Sequence, residues 1–226
     1  MENGATPCLI ACEKENIGVV KLLLKDKDIR VNEALNDGRT PFYVACSHGH
    51  IEIVKLLLNN SKVDRNRANN DGTTPFWISC QEGHLEVVKL LLNDKDVNIN
   101  QVDVNGVSPF YVACLFGHLE IVRFILASEK KVDIDHEWDQ KTPLEISKQR
   151  AVSTQKFEWE TKEQFEKSKS NCPKIVELLE LFKWNPNEMR IQLRIQLRTH
   201  LNLPSIFFFF FLFFFSFSLR NRFFFL

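Results

Sequence analysis

"GRTPFYVACSHGHIEIVKLLLNN" occupies Gly38–Asn60, "GTTPFWISCQEGHLEVVKLLLND" Gly72–Asp94, and "GVSPFYVACLFGHLEIVRFILAS" Gly106–Ser128. The fold turns on these near-copies, because a fixed period means a unit that is repeated along the chain rather than one irregular core. The lattice extends past the quoted stretches. Gly4, Gly38, Gly72 and Gly106 lie 34 residues apart, with Gln140 in the fifth place. Thr6-Pro7, Thr40-Pro41, Thr74-Pro75, Ser108-Pro109 and Thr142-Pro143 keep the same step. Five units result, at about 4–37, 38–71, 72–105, 106–139 and 140–184.

Each unit explains itself locally. Thr40 is placed to cap a helix through its hydroxyl, and Pro41 suits the first helical position. Phe42, Val44, Ala45 and Cys46 continue a short helix that Gly49 stops, and His50 opens a second one. Ile51, Val54, Leu57 and Leu58 line one face of that second helix, leaving Glu52 and Lys55 to solvent. Asn36-Asp37-Gly38 and Asn70-Asp71-Gly72 supply turn residues that tolerate positive φ, so the connections read as hairpin tips.

Turn, Thr-Pro, short helix, Gly-His and apolar second helix together resemble the ankyrin repeat, whose usual length is about 33 residues. The resemblance covers residues 4 to about 182 and implies an all-α ankyrin-repeat solenoid. One departure is systematic: Tyr43, Trp77 and Tyr111 stand where the family usually has His. The extra residue per period is expected in stretches such as "NDKDVNIN". Repeat one is degenerate, with Glu15-Asn16 in place of Gly-His and Cys8 in place of Phe42. In repeat five the second helix, "NCPKIVELLELF", arrives about twenty residues late by alignment to "GHLEIVRFIL". The inserted segment 150–171 is expected to form an exposed helical extension with a frayed tip.

The resemblance further implies binding of a protein partner on a concave side made of hairpin tips and first helices. The family's variable positions fall on Asn36, Asp37, Arg39, Ser47 and His48 in repeat two, and on Asn70, Asp71, Thr73, Gln81 and Glu82 in repeat three. In repeat four they are Val104, Asn105, Val107, Leu115 and Phe116, and the fifth tip adds Trp138, Asp139 and Lys141. The surface therefore turns apolar towards the C-terminal repeats. Val104, Val107, Leu115, Phe116 and Trp138 are the expected partner-binding residues, as an exposed apolar patch has the composition of an interface core. The competing reading has the insertion, with Phe157, Trp159 and Phe165, folding back over them. Tyr43, Trp77 and Tyr111 read as a packing ladder between repeats.

Bulk properties narrow the alternatives. Among 226 residues, 29 basic and 29 acidic side chains cancel, so no global field draws the chain to nucleic acid. Cys12, Cys46, Cys80 and Cys114 share one lattice position and read as small core residues rather than a disulfide framework. The start lacks a basic segment followed by an apolar one, which with unpaired thiols points to the cytoplasm. His50, His84 and His118 match the family's structural histidine. Cys46, His48 and His50 form a Cys-x-His-x-His trio in repeat two alone, so no metal site is expected, and no cofactor. Phosphate-loop and nucleophile-elbow motifs are missing, and no base accompanies Cys172, which precedes Pro173 at an expected helix start.

Past residue 184 the repeats end. "NPNE" opens like a helix, with Asn185 as cap, yet "RIQLRIQL" alternates like a strand. Segment 185–204 is taken as helical or irregular, with Arg190, Arg194 and Arg198 on a solvated face. In the Phe-rich stretch 205–226, Ile206 to Leu219 is 14 residues, short of a membrane-spanning helix. Its Phe, Leu and Ser content matches translation of a pyrimidine-rich stretch that is not native protein. The expected function is a monomeric, non-catalytic protein-binding module. The alternatives are a membrane-tethered adaptor, or a fragment of a larger membrane protein, anchored by that tail, and then a thiol-based redox enzyme.

Overall fold

A computed structural model of the chain describes residues 4–158 and 160–199, the side chains of Arg198 and Thr199 excepted. The expectations placed on Trp159, on the Arg198 side chain and on the Phe-rich tail lie outside those residues. The described residues form eleven helices and no named strand. In chain order they are α1 (Pro7–Glu13), α2 (Ile17–Leu23), α3 (Pro41–Ser47), α4 (Ile51–Leu58), α5 (Pro75–Glu82) and α6 (Leu85–Asn93). Then follow α7 (Pro109–Leu115), α8 (Leu119–Ala127), α9 (Pro143–Val152), α10 (Lys162–Trp184) and α11 (Pro186–Thr199).

The odd-numbered helices α1 to α9 begin identically. Thr6, Thr40, Thr74, Ser108 and Thr142 each accept a hydrogen bond from the third helical amide, and each is followed by proline. That arrangement satisfies one orphan donor and needs none from the first position. These first helices stack as α1, α3, α5, α7, α9, and the second helices α2, α4, α6, α8, α10 stack beside them. Between the two rows lies one continuous core. Cys12, Cys46, Cys80 and Cys114 are wholly buried in it, as are Val20, Val54, Val88 and Val122 one lattice step apart. A single unit has nothing to bury these side chains against, which is why they stack.

Glu15 adopts a left-handed conformation, φ 54°, at the place where Gly49, Gly83 and Gly117 are left-handed. Its successor Asn16 caps the Val19 amide, a bond the histidines that open α4, α6 and α8 do not make. The first unit thus keeps the geometry with residues that tolerate water.

Repeat five departs from expectation. Its second helix begins at Lys162, not at Pro173, under a capping box between Thr161 and Gln164. The insertion lengthens α9 to Val152 and α10 by eleven residues at its start, leaving Pro173 inside a 23-residue helix. Nor is the extension simply exposed: Arg150, Glu160, Phe165 and Ser168 are buried.

Segment Pro186–Thr199 is helical, and α11 lies against α8 and α10. Arg190 Nε donates to the Leu126 carbonyl at 3.3 Å and Arg194 Nε to the Ala127 carbonyl at 2.7 Å. These two arginines were expected on a solvated face. Instead they satisfy carbonyls at the C-terminus of α8, where a cation also opposes the helix dipole.

Candidate partner-binding surface

The hairpin tips are built by side chains gripping their own backbone. In the third tip, Asn69 Oδ1 accepts from the amides of Asp71 and Thr73, and Asn69 pairs with Thr73 through its own amide. Asp103 repeats the scheme towards Asn105 and Val107 in the fourth. Adjacent tips are tied together: the Asn70 amide donates to the Asp37 carbonyl at 2.8 Å, and the Val104 amide to the Asp71 carbonyl at 2.9 Å. Such a row is a stiff backbone edge from which residues 36, 70 and 104 can present side chains.

The fifth tip differs. Trp138 and Lys141 exchange both backbone bonds across Asp139 and Gln140, at φ 48° and 59°. The turn is of the two-residue kind that positive φ at both centres defines. The aromatic ladder changes at the same place. Tyr43 Oη reaches Thr73 Oγ1 at 2.8 Å, and Trp77 Nε1 donates to the Val107 carbonyl at 2.9 Å, each bonding the next repeat. Tyr111 Oη has no hydrogen-bond partner among the described residues although it is buried, and the ring meets Trp138 edge-on at 5.6 Å. Burial first of all, then the Asp139 carboxylate, pushes its phenol up to about 12.

The five expected binding residues do not share one environment. Val104 stands 67% exposed at its tip. Phe116 is half-buried, its ring parallel to that of His118 at 6.0 Å, and Trp138 is half-buried against Tyr111. Val107 and Leu115 correct the expectation, being 8% and 9% exposed. Val107 is held by the Trp77 bond to its carbonyl, and Leu115 closes the end of α7 within the core. Of the covering residues, Phe165 is buried and Phe157 is partly open, at 37%.

Behind the surface run two further ladders. The Nε2–H groups of His50, His84 and His118 donate to the carbonyls of Glu13, Ser47 and Gln81, at 3.3, 2.9 and 2.8 Å. At the last step Asn171 Nδ2 donates to the Gly117 carbonyl instead, at 2.9 Å. The second ladder escaped the sequence reading. Asn32, Asn66 and Asn100 each use Nδ2 and Oδ1 to clasp a carbonyl and an amide of the following repeat. Their 34-residue spacing was the available signal, hidden because they sit in the loops between helix and tip.

The remaining chemistry is subdued. All six thiols are free and buried. Burial pushes Cys46, Cys80 and Cys114 well up, and Cys172 up to about 11. Cys8 is drawn down by its hydrogen bond with Cys12, whose own thiol is pushed up by the same bond and by burial. His48 stacks on His50 at 5.4 Å while its Nδ1–H donates to the Val44 carbonyl. Among the described residues no three His, Cys, Asp or Glu side chains converge as metal ligands would, and no helix is long and apolar enough to cross a membrane.

A family model for ankyrin repeats, in three copies, matches residues 1–67 and 61–137. No curated protein matches the chain.

Proposed function

The chain belongs to the ankyrin-repeat family, and from that premise we propose that it is a non-catalytic module holding a protein partner against the concave face of its array. Ankyrin repeats generally serve protein–protein interaction, and the family is typically non-catalytic. One observation carries the assignment of the surface. On a lattice whose core positions barely change, the tip position changes from Asn36 and Asn70 to an exposed Val104 and then to Trp138. The Asn70 side chain is spent on the neighbouring tip, through its bond to the Asn36 carbonyl. Val104 has no polar atom to spend there, and an apolar side chain held out on a stiff edge gains most by being covered.

The proposed contact residues are Val104, Phe116 and Trp138, with Val107 and Leu115 as the packed layer beneath them. The polar tips around Asn36, Asp37, Asn70 and Asp71 form the rim. Monomeric, cytoplasmic protein is part of the same reading. The test is capture of partners from the native cell with the intact chain, beside Val104→Asp and Phe116→Asp. Loss of a partner by about thirtyfold or more in affinity, at unchanged helicity and melting temperature, is the expected result for residues at an interface centre. Retention of that partner by both variants would remove the surface from consideration. Tethering to a membrane depends on the Phe-rich tail, outside the described residues, and a soluble pool of the endogenous protein would count against it.

A further inference from the structure

Helix α10 is two helices in one. Its second half, from Pro173, occupies the register of α8: Asn171 and Cys172 take the places of Gly117 and His118, shifted by the twenty-residue insertion. Asn171 accordingly bonds the Gly117 carbonyl, and Cys172 Sγ lies 3.8 Å from the Cys114 carbonyl. Ile175, Leu179 and Phe182 fill the repeat core from this half. The first half, Lys162 to Ser170, has no counterpart in the other repeats. Between the halves, Pro173 has no N–H to give to the Lys169 carbonyl and suits a first helical position.

Buried polar contacts fasten the first half to the end of α9. Arg150 Nη2, at the end of α9, donates to Glu160 Oε1 at 2.6 Å and to Ser168 Oγ at 2.8 Å. The Arg150 and Glu160 side chains are 3% and 1% exposed. The guanidinium lies over the rings of Phe157 and Phe165, 4.8 and 5.1 Å from their centroids, and its buried Nε has no hydrogen-bond partner among the described residues. So fastened, the half-helix lies across the α7–α8 turn. A Cβ at Gly117 would come within 2.5 Å of the Ser168 Cα. Leu115, two residues earlier, is buried, whereas its counterparts Ser47 and Gln81 are half-buried.

We propose that residues 160–170 are a strap, hinged at Pro173 and latched by the Arg150–Glu160 pair, that closes over the α7–α8 end of the recognition surface. Opening it extends that surface by the Gly117 turn without disturbing the repeat-five core. The proposal rests on the concave-face reading for its biological meaning, but its physical content needs no partner to be measured.

Hydrogen exchange of the intact chain, read by mass spectrometry, tests it. In the unaltered protein, amides 163–170 should exchange at least about tenfold faster than 176–184, since the halves open separately. Combined Arg150→Met and Glu160→Gln should raise the first-half rate by about another factor of ten while the second half and α8 hold theirs. Alkylation of Cys172, at the hinge, should rise in parallel. Pro173→Ala should slow the first half towards the rate of the second. One common rate along the whole unaltered helix would overturn the strap, as would both halves loosening together in the double variant. Since the unaltered protein and Pro173→Ala suffice to decide, a double variant that fails to fold leaves the test intact.

Discussion

Gly83 and His118 show how closely adjacent repeats fit. Gly83 is left-handed at φ 77°, and a Cβ there would come within 2.5 Å of the His118 ring, itself tied to the Gln81 carbonyl. Gly106 is also left-handed, at φ 83°, but nothing lies within 4 Å of its missing Cβ. Gly106→Ala should therefore cost about 1–2 kcal/mol, the backbone penalty alone. Gly83→Ala should exceed it by about 1 kcal/mol or more, because the ring must move in a close-packed interior. Urea midpoints of the two variants check the order. Burial first of all holds the His118 imidazole below its usual pKa, so the unfolded chain binds this proton more readily than the folded one. Its contribution is then present above about pH 6.5 and lost as pH falls through the lower folded value. Stability should decline on acidification through that window, and His118→Gln should flatten the decline in a denaturant series taken at several pH values.

At the scale of the element, α11 is the informative case. Its apolar residues alternate in sequence, which made "RIQLRIQL" read as readily as a strand as a helix. The helix uses only part of them inwardly: Leu193 is 2% exposed and Leu197 lies against the core, while Ile191 and Ile195 face outward. The alternation was thus two helical stripes superposed, and Arg190 and Arg194 lie between them with a task no pattern announced. Leu193→Ala should lower stability by about 2–3 kcal/mol, and Arg194→Met by about 1 kcal/mol, in thermal unfolding of the intact chain. The start of α10 was misread for a related reason. The Thr161–Gln164 capping box stood in the sequence, but a proline that follows the repeat register drew the helix boundary to itself.

For the whole molecule, the sequence disclosed the array and much less of the surface. Caps, left-handed glycines, histidines and cysteines recur at one interval, so the physics of a single unit could be read five times over. Val107 and Leu115 sit at positions that are variable in the family, and apolar identity there does not distinguish a side chain offered to a partner from one turned into the core. The distinction depended on the Trp77 bond to the Val107 backbone and on the packing around α7, neither of which has a periodic signature.

The bonds between neighbouring repeats also set an order in time. Those made by the histidines span 37 residues and those of Tyr43 and Trp77 span 30, so each junction can close once a single further unit has left the ribosome. The bonds that finish the far end span 54 residues from Asn171, and 64 and 67 from Arg190 and Arg194. During synthesis the first repeats can therefore assemble one by one behind the growing end, while the last carbonyls of α8 wait through most of two further repeat lengths for the arginines that cover them. A nascent chain halted in that interval would carry a finished row of hairpin tips and an α8 terminus still uncovered.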